Sequence, residues 1–310
     1  MPRPTQPTLA AVVREHLGVS WNAARDLCRT GRAKVDGEIQ RDPAVRVDPD
    51  SVVVDPTAPK LTRGVLAKEK ILFVDPHLAV VNKPAGLLTI PYDDERDTLI
   101  DQLRTALRRR SKSFAPPLGI VHRLDKGTSG VLVFTRNLAA KRHLQGLFRS
   151  HTIERRYEAL VHGQAARTSH ESWLIANRGD GLRGSWGVFR RPMGKRPKEA
   201  RWSRTHVKSV ERFEGASLLT VELETGRQHQ IRIHLSEVGH PIIGEKVYIR
   251  DYKNQNMPVI EAPRPMLHAR TLGFEHPVSG EMLRFEAPRP PDFEEAIAAV
   301  TPGGGADPSA

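Results

Sequence analysis

The chain has 310 residues, 38% of them apolar and 27% charged, which suits a soluble globular protein with one large domain and a small one. Lysine and arginine outnumber aspartate and glutamate by 48 to 36, a formal charge of +12 with a pI near 10.1. That excess says nothing about fold, but it favours a polyanionic partner, nucleic acid ahead of a membrane surface. No apolar run is long enough to span a bilayer, and the start MPRPTQPTLAA lacks the apolar stretch of a secretory signal. The single cysteine, Cys28, excludes an internal disulfide framework and fits a cytoplasmic, reducing setting.

In chain order, residues 1–7 and 301–310 are rich in Pro and Gly and are expected to be disordered tails. SWNAARDLCRTGRAKVDGEI then reads as a helix, a stop and a hairpin. Ser20 is the expected N-cap, Gly31 the residue past the C-cap, and Asp36-Gly37 the two-residue turn. Ala24, Leu27 and Cys28 share an apolar face, which makes Cys28 a buried, inert thiol. Arg25, Arg29 and Arg32 follow at i, i+4 and i+7 on another face, with Lys34 on the adjoining strand. Such a run is often only a solvated face, but three arginines and a lysine tilt it toward phosphate contact. Together with the following DPAVRVDPDSVVV, residues 8–55 resemble an S4-type RNA-binding domain, a small αα-hairpin module.

A linker over 56–69 leads to the larger unit, residues 70–300. ILFVDPHLAVVNKPAGLL reads as two strands joined through Asp75-Pro76 and ending in a loop with Lys83, Pro84 and Gly86. TLIDQLRTALRRR puts Leu99, Leu103, Ala106 and Leu107 on one helical face; its terminal arginines 108–110 suit the helix dipole or an RNA strand equally. In GIVHRLDKGTSGVLVFTRN (119–137), two β-branched runs read as buried strands around a loop holding His122, Arg123, Asp125 and Lys126. NLAAKRHLQGLFRS is a second amphipathic helix, and RRYEALVHG and SLLTVEL are strands. HQIRIHLSEVG is a helix with Ile231, Leu235 and Val238 on its apolar face and Gly239 as its stop. From Arg178 to Arg201 eight Lys and Arg face two acids, a basic, irregular insertion suited to wrapping a folded RNA. Strands and helices interleave without a regular βαβ repeat, so the class is α+β.

Several chemistries find no support. GDGLRG at 179–184 has dinucleotide-site glycines but no helix after it, no Walker sequence occurs, and GTSG lacks the spacing of a nucleophile elbow. His229, His234 and His240 lie five and six residues apart, which suits structural or phosphate-facing roles better than a metal, so neither metal nor cofactor is expected. What remains is Asp125. A turn-forming aspartate is the plain reading, but Thr128-Ser129-Gly130 already supplies turn chemistry. A carboxylate at the rim of a core, beside an arginine, is expected to keep its charge. It suits a nucleophile or base. A glycosidase normally needs two carboxylates, and the motifs hold no second one; a single carboxylate fits chemistry at a sugar carbon whose leaving group is kept and reattached.

HRLDKGTSG (122–130) resembles the signature loop of the RluA-type RNA pseudouridine synthases, and the likeness runs over 71–293. ILFVDPHLAVVNKPAGLL, RRYEALVHG, LETGRQHQIRIHLSEVGHPIIGEKVY and HARTLGFEHPVSGEMLRFEAPRPPDF resemble that family's other motifs in order. The resemblance implies a mostly antiparallel mixed sheet with flanking helices and a central cleft, and an isomerisation needing no cofactor. Asp125 would be the catalytic carboxylate at the ribose, and Tyr157 the tyrosine that stacks on uracil and is a candidate for taking the C5 proton. Arg232 would pair with Asp125, and Arg123 would fill the gap left by the flipped nucleotide. His122, Arg227 and Lys83 are added as RNA contacts. Where the family usually has Gly-Asp after HPIIG, this chain has Gly244-Glu245, which questions the local cap geometry more than the chemistry. The expected partner is RNA, ribosomal ahead of transfer RNA, free or within ribosomal particles, acted on by a monomer with no membrane association. The rival readings are a catalytically silent assembly factor on the same fold and a nucleoside hydrolase.

Overall fold

The computed structural model describes residues 6–58, 64–92, 97–110, 117–188 and 195–301. By internal packing the chain divides into Met1–Val65 with Pro91–Thr105, and Leu66–Ile90 with Ala106–Ala310. This differs from a linear 56–69 linker because Pro91–Thr105 returns to the first unit, where the Asp97 carboxylate accepts from the Gly64 N–H at 3.1 Å. Residues 59–63 of the expected linker lie outside the described residues, as do 1–5 and 302–310 of the expected tails. At residue 7 the chain is already held, since the Pro7 carbonyl accepts from Val47 N at 3.1 Å.

In the first unit, helices α1 (Leu9–Leu17) and α2 (Trp21–Arg29) pack around Leu9, Val13, Ala24, Leu27 and Cys28. The Ser20 hydroxyl caps α2 by accepting from Ala23 N at 3.2 Å. Strands β1 (Ala33–Val35) and β2 (Glu38–Ile39) turn through Asp36 and Gly37, both at positive φ (51° and 82°) as a two-residue hairpin of this type requires. β3 (Val52–Val54) completes a sheet of order β2-β1-β3. Cys28 is buried, which pushes its thiol up to about 11 and leaves it inert. α2 ends at Arg29, so Arg32 does not continue the arginine face: its Nε donates to the Ala58 carbonyl at 2.8 Å. Arg25, Arg29 and Lys34 are exposed.

The second unit is built on one large sheet. Its strands are β4 (Ile71–Val74), β5 (Leu78–Lys83), β6 (Gly119–Ile120), β7 (Ser129–Thr135), β8 (Glu154–His162), β9 (Thr168–Ile175), β10 (Gly184–Ser185), β11 (Arg201–Phe213), β12 (Ala216–Leu223), β13 (Leu267–Glu275) and β14 (Met282–Glu286). The order is β10-β9-β11-β12-β8-β13-β7-β5-β4, with β14 on β13 and β6 on β7. Every pairing is antiparallel except β13 with β7, where Ser129 faces His268 and Gly130 faces Ala269. Helix α3 (Leu99–Arg110), divided at Thr105 between the two units, buries Leu99, Leu103, Ala106 and Leu107, the stripe its spacing predicts. α4 (Leu138–Arg149) sets Leu144 into a core with Leu78, Val80, Val131, Val133 and Phe274. α5 (Gln230–Glu237), α6 (Arg250–Lys253) and α7 (Pro291–Val300) complete the helices used below.

Three local expectations change. β7 is buried throughout, but Ile120 and Val121 are only half-buried. α5 is not amphipathic: Gln230 to Leu235 are all buried, and Val238 at its C-cap is 44% exposed. Polar residues are admitted to its buried face because they are satisfied there. The Gln230 amide donates to Arg204 O and Thr205 Oγ1 and accepts from Thr225 Oγ1 and Arg227 N, all at 2.8–3.0 Å. The basic insertion is not wholly irregular either. Ser185 and Gly184 form β10, and the side chain of Arg178 is buried against Asp180 and Asp251, closing GDGLRG into a turn. Its residues 189–194 lie outside the described residues.

Candidate active site

The loop from Val121 to Thr128, between β6 and β7, is held by its carbonyls. Leu124 O accepts from Thr89 Oγ1 (2.8 Å), Asp125 O from Thr128 N (3.1 Å) and Lys126 O from Gly86 N (2.8 Å). Gly127 O accepts from Arg264 (3.1 Å) and Thr128 O from Lys83 Nζ (2.6 Å). Arg264 is itself fixed by two bonds to Asp292 at the start of α7. No carbonyl from 124 to 128 is without a donor, so displacing the loop breaks several bonds at once.

Lys83 therefore is not a phosphate contact. It is 0% exposed, and its ammonium spends its three donors on Pro84 O, Lys126 O and Thr128 O beneath the loop. Burial pulls its pKa down to about 7 against the opposing charge of Asp125. At the loop's other end, Gly130 has φ +116°, and a side chain there would run into the Ala269 backbone. Only glycine lets β13 close beside β7 at this point. His122 is also structural in its bonding: Nε2 accepts from Val133 N at 3.1 Å and the ring packs on Phe148 at 4.8 Å. Burial, helped by Arg155, pushes it down to about 3, so it offers a neutral ring rather than a cation.

The Asp125 side chain is 20% exposed and meets Arg232, whose Nη1 is 3.3 Å from Oδ2. Arg232 is 9% exposed and doubly bound to Glu245, at 2.7 Å through Nε and 2.8 Å through Nη2. Glu245 Oε1 also accepts from Lys246 N and Val247 N (3.0 and 2.8 Å), so the longer side chain caps its own turn and still reaches the arginine. Burial opposes the charge on Glu245, but Arg232 and these N–H groups hold its carboxyl below the usual range. Burial likewise opposes Arg232, and Glu245 with Asp125 carries its pKa above the ordinary value. The cation that pairs with Asp125 is thus Arg232, from across the sequence, rather than the neighbouring Arg123.

Asp125 opens on a cleft of about 610 Å³, continued by a smaller pocket of about 60 Å³. Among the described residues Asp125 is the one carboxylate on the main cavity's wall; Arg123, Arg149, Arg155 and Arg227 are also on it. Strand alternation puts Arg155 and Tyr157 of β8 on the cleft side, both buried, with Arg156 exposed between them. Burial raises the Tyr157 pKa, Arg155 opposes this and Asp125 adds to it. The Tyr157 ring lines both the main cleft and the smaller pocket together with Asp125. Arg123 is exposed at the cleft wall and, among the described residues, forms no ion pair. Arg227 is exposed too, its Nε donating to Trp202 O at 3.2 Å.

The fold brings Asp125, Tyr157, Arg232, Arg123, Arg227 and His122 to one cleft. Sequence reasoning missed Arg155 and read His229 only as structural or phosphate-facing. Arg155 was legible two residues before Tyr157 on the same strand face. His229, whose Nε2 lies 3.8 Å from Asp125 Oδ1, was legible three residues before Arg232, the spacing of helix neighbours.

The chain is similar to known proteins over most of its length. The sequence profile described as RNA pseudouridylate synthase matches residues 77–237. The chain is 35% identical over 243 residues to "Ribosomal large subunit pseudouridine synthase D" of Nitrosomonas europaea, covering 74% of this chain and 65% of that protein. It is 36% identical over 267 residues to the protein of the same name from Zymomonas mobilis, covering 83% of this chain and 82% of the relative. Among solved structures, human RNA pseudouridylate synthase domain containing 4 aligns with a TM-score of 0.56 and 22% identity, over 75% of this chain and 93% of that one. That last likeness concerns the fold alone.

Proposed function

The chain belongs to the RNA pseudouridylate synthase family, and on that premise we propose that it converts uridine to pseudouridine in large-subunit ribosomal RNA. The observation that carries this reading is a carboxylate, Asp125, on a rigid loop, paired with a buried arginine and facing a cleft whose described wall has four arginines and no other carboxylate. Such a wall suits a phosphate backbone, and the single carboxylate suits attack on a ribose. Asp125 engages the ribose as the N1–C1′ bond breaks. The uracil then rotates and rejoins C1′ through C5, giving up the C5 proton while N1 gains one, so the product is an isomer. Arg232 orients the carboxylate, and Tyr157 stacks on the base.

A base in folded RNA must leave its stack at a cost of roughly a few kcal/mol. Arg123, planar, exposed and without an ion pair among the described residues, suits the vacated position. The ribosomal substrate is supported by the names of the relatives, with transfer RNA second, and free RNA or a ribosomal particle as its form. We read residues 8–55 as the S4-type module. Its support is the helix pair and hairpin, with Arg25, Arg29 and Lys34 exposed and Trp21 beside Arg14 and Arg25 at 5.0 and 5.7 Å. We assign the protein to the cytoplasm on its single buried thiol.

The test is incubation of the purified protein with ribosomal and transfer RNA transcripts, mapping modified uridines by carbodiimide block of reverse transcription. Wild type produces stops on ribosomal RNA, and Asp125→Asn produces none while still binding RNA. Absence of stops with wild type on both RNAs refutes the enzyme reading in favour of an RNA-binding assembly factor.

A further inference from the structure

We propose that His229 is a positioning residue for Asp125, with the Tyr248 hydroxyl fixing its tautomer so that Nε2–H faces the carboxylate. This rests on Asp125 being the catalytic group. His229 stands at the N-cap of α5 with φ +59°, a left-handed backbone that a side-chain-bearing residue keeps only where its surroundings hold it. What holds it is visible on both ring nitrogens. Nδ1 is 2.7 Å from Tyr248 Oη, and Nε2 is 3.8 Å from Asp125 Oδ1.

A neutral imidazole has one N–H. When the phenol donates to Nδ1, that proton sits on Nε2, the nitrogen that faces Asp125. Tyr248 is buried, and its ring also lies against the Arg232 guanidinium at 5.2 Å, so its own position is restrained. Arg232 already takes Oδ2 at 3.3 Å. A donor at Oδ1 would leave the carboxylate bound at both oxygens and unable to turn about its terminal torsion. The present 3.8 Å is too long for a hydrogen bond; catalytic bonds commonly tighten only once substrate is seated. The charged and titratable groups around the ring are Asp125, Arg232, Glu245, Arg183 and Tyr248. Burial, ahead of these charges, holds the imidazole below 6.5, so the neutral form is the working one at neutral pH.

Two measurements test this. In single-turnover reactions on C5-tritiated RNA transcripts, His229→Ala should slow tritium release about tenfold to a hundredfold, the worth of one hydrogen bond to a charged group. The RNA concentration for half-saturation should stay within about twofold of wild type, since the loss is in the chemical step. His229→Gln, which keeps an N–H near the Nε2 position, should recover most of the rate, and Tyr248→Phe should fall between the two. Independently, ¹⁵N chemical shifts of the free protein should show His229 protonated on Nε2 and bare on Nδ1, with both nitrogens mixed in Tyr248→Phe. Protonation on Nδ1 in wild type, a wild-type rate for His229→Ala, or equal loss in the Ala and Gln variants each overturns the proposal. Inactivity of wild type on RNA overturns the functional reading instead, and the shifts still decide the tautomer.

Discussion

In the helix–hairpin unit, Arg25 and Arg29 stand in water, with Arg25 resting against an exposed Trp21. In the cleft, Arg232 is nearly buried and bonded to two carboxylates. One residue type thus does two different jobs. Exposed arginines act over a distance, on any phosphate, and their effect fades with salt. The buried arginine acts only through geometry: the loss of water around its charge is offset by Glu245 and Asp125, and what it supplies is the orientation of the Asp125 carboxylate.

The sharpest way to break that contrast is Arg232→Ala. It strands the Glu245 carboxylate in the interior, and the expected loss is about 3–5 kcal/mol of unfolding free energy by urea titration, with pseudouridine formation abolished. An unchanged urea midpoint would show that the pair is not buried as described. The same pair gives a pH signature. The folded-state pKa of Glu245 lies below its ordinary 4.5, so its stabilisation is complete above that pH and is lost as pH falls from about 4.5 through the folded value. Glu245→Gln, measured by thermal unfolding between pH 3 and 6, should be less stable than wild type at pH 6, with the gap narrowing toward pH 3.

Lys83→Met tests the interior further. Three loop carbonyls lose their ammonium partner, which should cost about 1–3 kcal/mol and slow catalysis, yet leave RNA affinity and its salt dependence as in wild type. A shallower salt slope would return Lys83 to the phosphate contacts. The smallest effects belong to the open helix. Arg25→Ala and Arg29→Ala should each change stability by less than about 0.5 kcal/mol. In filter-binding titrations over salt, each should flatten the slope of log affinity against log salt by about 1. If neither slope moves, this face is a solvated surface with no RNA on it.

Much of this was legible in the residues, for identifiable reasons. The Ser20 cap, the Asp36-Gly37 turn, the α3 stripe and the buried Cys28 depend on neighbours a few positions away, where spacing carries the information. The family motifs pointed to Asp125, Tyr157 and Arg232, and the fold brings all three to one cleft. The failures fall where long-range packing overrides local pattern. α5 looked amphipathic because Gln230 and His234 are polar, but β9 and β11 supply partners such as Ser172 and Thr205, so the polar side is buried too. Lys83 and Arg32 looked like surface cations for the same reason: nothing local announces the carbonyls that receive them.

What the sequence determined by itself is the inventory: a basic chain, a carboxylate among cations in a glycine-punctuated loop, and an arginine on a helix about a hundred residues later. These follow from composition and short-range spacing, which are properties of the chain alone. What only the tertiary structure decided is which charges meet. The parallel closure of β13 on β7 at Gly130 and the setting of α5 beside the loop assign Arg232 and His229 to Asp125, and Lys83 to the carbonyls beneath it. The physical reason is that pairing, desolvation and pKa depend on distances across the fold, and a sequence position does not contain those distances.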